Sequence, residues 1–156
     1  MSIYNDQISE QSCLRVEITK ELSTYAGGAS PLNTPANILA LIQAGAKDDV
    51  DPRFLVALAG AESGFGIHIT WGPYNAWNNL AHKPPSPPCA GWTQAINGVA
   101  NLIAGRLYFG SGLTTTSTIY PRYQGPGYQT GLKNLNSFLT AMGGNPNVLT
   151  DPCDHQ

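Results

Sequence analysis

Apolar positions recur at helical spacing in four segments of the chain, and these set the expected architecture. Thr34-Pro35 reads as an N-cap followed by a first-turn proline. Behind it, Ile38, Leu39, Leu41 and Ile42 form an apolar stripe that Gly45 is expected to end. Asp51-Pro52 repeats the start signal, with Leu55, Leu58, Ala59 and Glu62 at helical spacing before Gly64 stops the helix. A third helix is expected from about Gly91 to Tyr108, with Ile96, Val99, Ala100, Ile103 and Leu107 facing inward. A fourth is expected from about Tyr128 to Met142, carrying Leu132, Leu135, Phe138 and Leu139 and ended by Gly143-Gly144. No strand pattern competes, so the fold class expected is mainly α.

The pattern lapses elsewhere. Residues 1–33 are polar and read as an N-terminal arm, partly helical around Leu14 to Leu22, joined through YAGGASPLN. Residues 34–146 form the organised domain, and 147–156 a C-terminal tail. A 27-residue loop, Gly64 to Ala90, separates the second and third helices, and a Thr-, Tyr- and Gly-rich loop, 110–127, separates the third and fourth. Loops this long in a small domain are usually functional. The two are expected to form an aromatic-lined cleft.

Composition narrows the classes. The chain has 156 residues, 42% apolar and 12% charged, which suits one globular core. A net charge of −2 gives no sign of a nucleic-acid partner. Residues 35–146 hold six cations and four carboxylates, a mild excess that suits an anionic polymer but equally fits surface scatter. No run of about 18 apolar residues exists, so no membrane span is expected. The start, MSIYNDQISEQSCLRVE, has no basic segment before an apolar run, so no signal peptide is expected. Of three cysteines, Cys89 and Cys153 could pair and leave Cys13 over, or all three could be free thiols. His68, His82 and His155 are scattered, so no metal site and no cofactor are expected.

Glu62 is the sharpest chemical feature. It follows Leu55, Leu58 and Ala59 at helical intervals, which places its carboxyl on the apolar face at the helix end. Desolvation there raises a carboxyl pKa, and a glycosidic oxygen leaves when it receives a proton. Glu62 is the only glutamate after Glu21, and Trp71, Tyr74, Trp77 and Trp92 follow it. Aromatic faces stack on sugar rings, while Asn75, Asn78, Asn79 and Gln94 can bond hydroxyls and amides.

The run Phe54-Leu55-Val56-Ala57-Leu58-Ala59-Gly60-Ala61-Glu62-Ser63-Gly64-Phe65-Gly66 resembles the catalytic-helix signature of lysozyme-like peptidoglycan hydrolases. That group includes soluble lytic transglycosylases, goose-type lysozymes and endo-β-N-acetylglucosaminidases. The segments Tyr74–Leu80, Trp92–Ile96 and Thr118–Tyr123 are loosely similar to the glucosaminidase branch, and the resemblance spans about residues 35–145. It implies a lysozyme-like helical domain that acts on peptidoglycan or a related N-acetylglucosamine polymer, at the cell wall or outside the cell. It implies Glu62 as general acid, Tyr120 or Tyr123 as the cleft tyrosine, and Ser63, Trp71, Tyr74, Asn75, Trp77 and Trp92 at the substrate. The Gly-Leu-Met-Gln run of transglycosylases is absent, and Lys83 to Pro88 looks like an insertion. The branch, and with it the bond cut, therefore stays open. Monomeric action is expected.

A retaining glycosidase needs a second carboxylate about 5 Å from the first, and an inverting one about 6.5–9.5 Å. Asp51, eleven residues before Glu62, would lie about 16 Å away along a helix. One acid without an obvious partner favours substrate-assisted cleavage or attack by the sugar's own hydroxyl. Two other readings stand beside this one. A cysteine peptidase or amidase would use Cys89 with His82 or His68, and would be sensitive to alkylation. A non-catalytic glycan-binding module on the same fold would bind peptidoglycan without releasing fragments.

Overall fold

A computed structural model describes residues 14–153, and its regular structure is helical. Helix α1 covers 14–24, followed by α2 (Pro35–Asp48), α3 (Pro52–Ser63), α4 (Trp92–Ala104), α5 (Thr116–Gln124) and α6 (Gln129–Ala141). Short 3-10 turns stand at Tyr25–Gly28, Leu80–His82 and Phe109–Ser111. Among the described residues there is no strand, only an isolated bridge between Asn145 and Val148. The mainly α expectation is met.

The central element is α3. Asp51 caps it by accepting from Arg53 N at 2.9 Å, Pro52 opens it, and Gly64 closes it with a left-handed φ of 59°. Every residue from Phe54 to Gly60 is buried, so α3 has no solvent face until its last turn. Large side chains such as Phe54, Leu55 and Leu58, fully enclosed, each contribute about 2 kcal/mol of burial. Helix α6 packs along α3, and α2 packs on α4. The α3–α6 approach depends on Gly60, where a Cβ would meet Phe138 at 2.7 Å and Phe65 at 2.6 Å.

Several boundaries differ from the sequence expectation. Helix α2 runs past Gly45 to Asp48. Gly45 is needed instead for close approach, since a Cβ there would lie 2.5 Å from Val50 O. Helix α4 ends at Ala104, so Leu107 is not on its inward stripe but 45% exposed. The expected loop 110–127 contains α5, started by a Thr115–Thr118 capping box.

The segments expected as arm and tail pack on the body. Leu14, Ile18, Leu22 and Leu32 are buried in the common core, and Glu17 pairs with Arg53 at 3.0 Å. Leu149 is buried, and its carbonyl accepts from Asp51 N at 2.7 Å. Cys89 carries a free thiol, so the Cys89–Cys153 bridge considered from sequence is not formed. Cys13 and His155 lie outside the described residues. No helix among the described residues is long and apolar enough to cross a membrane.

Candidate active site

Glu62 sits in the last turn of α3, where the buried helix emerges. Its carboxyl meets two groups from elsewhere in the chain. Tyr120 Oη, from α5, donates to Oε2 at 2.7 Å. Asn78 Nδ2, from the long loop, donates to the Glu62 main-chain oxygen at 3.1 Å and lies 3.5 Å from Oε1. Asn78 thus satisfies a carbonyl that the helix end leaves without a partner.

Burial pushes the Glu62 carboxyl above its ordinary range, and the bonds from Tyr120 and Asn78 pull it part of the way back. The negative end of the α3 dipole acts in the same direction as burial, because it disfavours an anion at a helix C-terminus. Tyr120 is 1% exposed, and its phenol is raised by burial and by the bond to Glu62. It therefore remains an O–H donor across the physiological range.

Beside Glu62 lies a cavity of about 280 Å³, walled mainly by neutral polar side chains: Asn78, Tyr120, Gln124, Thr130 and Asn134. Glu62 is the one carboxylate among its described lining residues. A second cavity, about 240 Å³, adjoins across Asn78 and is apolar, with Leu80, Leu102, Leu107, Tyr108 and Tyr123 in its wall. The side-chain oxygen of Asn78, enclosed between these walls, has no hydrogen-bond partner among the described residues.

The other acids near in sequence are engaged elsewhere. Asp51 is 1% exposed and binds Arg53 through both carboxylate oxygens. Asp49 accepts from Asp151 N at 3.2 Å. Neither lines the Glu62 cavity.

Of the residues expected at the substrate, most serve the loop that carries Asn78. Trp77 is fully buried and donates its Nε1–H to Leu55 O at 2.7 Å; it anchors the loop on α3 and is not a sugar platform. Ser63 is buried, donating to Ala76 O at 2.6 Å and accepting from Gly66 N at 2.8 Å. Asn75, 1% exposed, closes the turn by bonding the main chain of Asn79 through both ends of its amide. Tyr74 packs edge-on against half-buried Trp92 at 5.4 Å. Trp71 lies under Lys83, whose Nζ is 4.9 Å from the ring centre. None of these six lines the Glu62 cavity, so the aromatic-lined cleft is corrected to a polar one.

The two tyrosines divide. Tyr120 bonds the acid, whereas Tyr123 donates to Trp77 O and walls the apolar cavity. Burial raises the Tyr123 phenol well above its ordinary range. The residues that sequence reasoning passed over are Gln124, Thr130 and Asn134, together with the helical state of α5. Asn78 was visible only as one amide in an Asn pair; its left-handed φ of 50° is a conformation that asparagine tolerates.

The thiol alternative loses ground. Burial raises the Cys89 thiol, the opposite of an activated nucleophile, and His82 Nδ1 bonds Pro87 O at 2.9 Å. Among the described residues no cluster of His, Cys, Asp or Glu suits a metal ion. Comparison of the chain with models of protein families, with curated proteins and with solved structures gives no significant match.

Proposed function

We propose that the chain is a glycosidase of lysozyme-like fold that cleaves β-1,4 bonds of peptidoglycan, with Glu62 as its single general acid. The observation that carries this reading is one carboxyl, raised by burial and held by a buried phenol, opening onto a polar cavity. A protonated Glu62 carboxyl beside the cavity can hand its proton to a glycosidic oxygen there. The neutral amides and hydroxyls of the wall suit an uncharged sugar backbone.

No second carboxylate borders the cavity among the described residues, so a paired-acid route has no partner for Glu62. Bond breaking then draws its nucleophile from the substrate, through an N-acetyl oxygen or a ring hydroxyl. Tyr120 donates to one carboxyl oxygen and so holds the acid beside the cavity.

The test is release of soluble fragments from purified peptidoglycan, read by mass analysis. The intact chain is expected to release them and Glu62→Gln, still folded, to release none. Binding without release by the intact chain would move the assignment to a glycan-binding module. The fragment masses also identify the bond cut and distinguish a hydrolysed from an anhydro product.

A further inference from the structure

The contact between Tyr120 and Glu62 depends on a position with no functional group. Gly131 lies in the first turn of α6, although alanine is the better helix former there. A Cβ at this position would fall 2.5 Å from Tyr120 Oη, 2.8 Å from Cε2 and 3.0 Å from Cζ. Tyr120 has little freedom to retreat, because it is 1% exposed and its hydroxyl is held on Glu62 Oε2 at 2.7 Å. Any side chain at 131 would displace the ring, and the hydroxyl would meet it first.

We propose that Gly131 is a positioning residue of the Glu62 site, its missing side chain leaving the space through which the Tyr120 hydroxyl reaches the acid. Gly131 also lines the Glu62 cavity with Thr130 and Asn134, so the same space lies beside the acid. Other helical glycines differ. A Cβ on Gly98, in α4, would meet only Asn79 at 3.8 Å, and one on Gly60 would strike the Phe65 and Phe138 rings.

The role has an electrostatic signature. Tyr120 favours the charged form of Glu62, so losing its bond raises the Glu62 titration midpoint further. The groups facing Glu62 in the cavity are Tyr120 and Gln124 from α5, Thr130 and Asn134 from α6, and Asn78 from the loop. None of these carries a charge at neutral pH, so a change in midpoint reports chiefly on the phenol.

The experiment follows the Glu62 side-chain carboxyl by ¹³C NMR through a pH titration of the full chain, with Glu62→Gln for assignment. Tyr120→Phe and Gly131→Ala are each expected to move the midpoint upward, and Gly98→Ala to leave it in place. In a Tyr120→Leu background, Gly131→Ala is expected to add no shift. A wild-type midpoint in Gly131→Ala, or an undiminished shift in the Tyr120→Leu background, would overturn the assignment. Should Gly131→Ala fail to fold, the double variant Gly131→Ala/Tyr120→Leu decides. Its folding like Tyr120→Leu alone supports the steric account, and its failure to fold refutes it.

Turnover of peptidoglycan, which rests on the glycosidase reading, is expected to fall in Gly131→Ala and Tyr120→Phe by similar factors. An inactive wild-type chain would count against that reading alone, since the titration needs no substrate.

Discussion

The Glu62 carboxyl is a functional group held at a cost to the fold, and the sign of that cost can be derived. Its folded pKa is raised above the ordinary value of 4.5. The folded state therefore binds more protons than the unfolded one between those two values. Stability then decreases as pH climbs from the unfolded pKa through the folded one, and the penalty is complete above it. Glu62→Gln removes the charge while retaining an amide oxygen that can accept from Tyr120. The variant is expected to melt higher than wild type at pH 7, with the difference vanishing near pH 4. Paired thermal melts at the two pH values check this; an equal difference at both would mean that the gain has another source than ionisation. On the proposed glycosidase reading, the same ionisation would set activity. A general acid must be protonated, so the rate is expected to fall on the alkaline side through the raised Glu62 pKa. Tyr120→Phe should move that alkaline limb to higher pH, by the reasoning given for its bond to the carboxylate.

At the scale of elements, α3 was legible and α5 was not, for different physical reasons. Asp51-Pro52 and Gly64 bracket α3 with residues whose backbone preferences match a start and a stop, so its limits could be read directly. Glu62 was placed by its helical spacing behind Leu55, Leu58 and Ala59, in the last turn, where the structure leaves it half-buried. Helix α5 hides its period. It is nine residues long, Thr- and Ser-rich at its start, and contains Pro121, which ordinarily breaks a helix interior. Its capping box was present in Thr115 and Thr118, but with two Thr side chains in place of the usual Ser/Thr and Glu/Gln pair. The roles of Trp77, Ser63 and Asn75 were misread because composition gives residue type without direction. An aromatic, a hydroxyl and an amide suit a sugar, and they suit equally the task of pinning a long loop to α3. The Asp51 end of α3 yields a test of the single-acid mechanism. Asp51→Asn keeps a good N-cap but breaks a buried ion pair with Arg53, whose side chain is 11% exposed. The expected loss is about 3 kcal/mol of stability, with turnover per folded molecule unchanged. Chemical denaturation together with rate measurement checks both halves; loss of turnover at full stability would make Asp51 a second catalytic acid.

At the scale of the whole molecule, the helices serve to bring three distant parts of the chain to one carboxyl. Glu62 comes from α3, Asn78 from the loop that Trp77 anchors, and Tyr120 from α5, which α6 supports. Apart from Glu62, the described lining of the assembled cavity is uncharged, although residues 35–146 carry a slight excess of cations. On the proposed reading, recognition there rests on hydrogen bonds and shape, which salt screens weakly, more than on attraction between charges. Two expectations separate here. If the cationic excess steered an anionic polymer to the site, raising salt from about 0.05 to about 0.5 M would shorten the Debye length several-fold and weaken binding steeply. If the neutral wall governs, KM for a soluble, uncharged N-acetylglucosamine oligomer stays nearly constant over that range. KM for intact, anionic peptidoglycan then changes little as well. The cavity composition predicts the second pattern. Steady-state measurements on the two substrates at both salt concentrations decide it: a steep rise in KM for peptidoglycan beside a constant KM for the uncharged oligomer would show that attraction between charges governs binding.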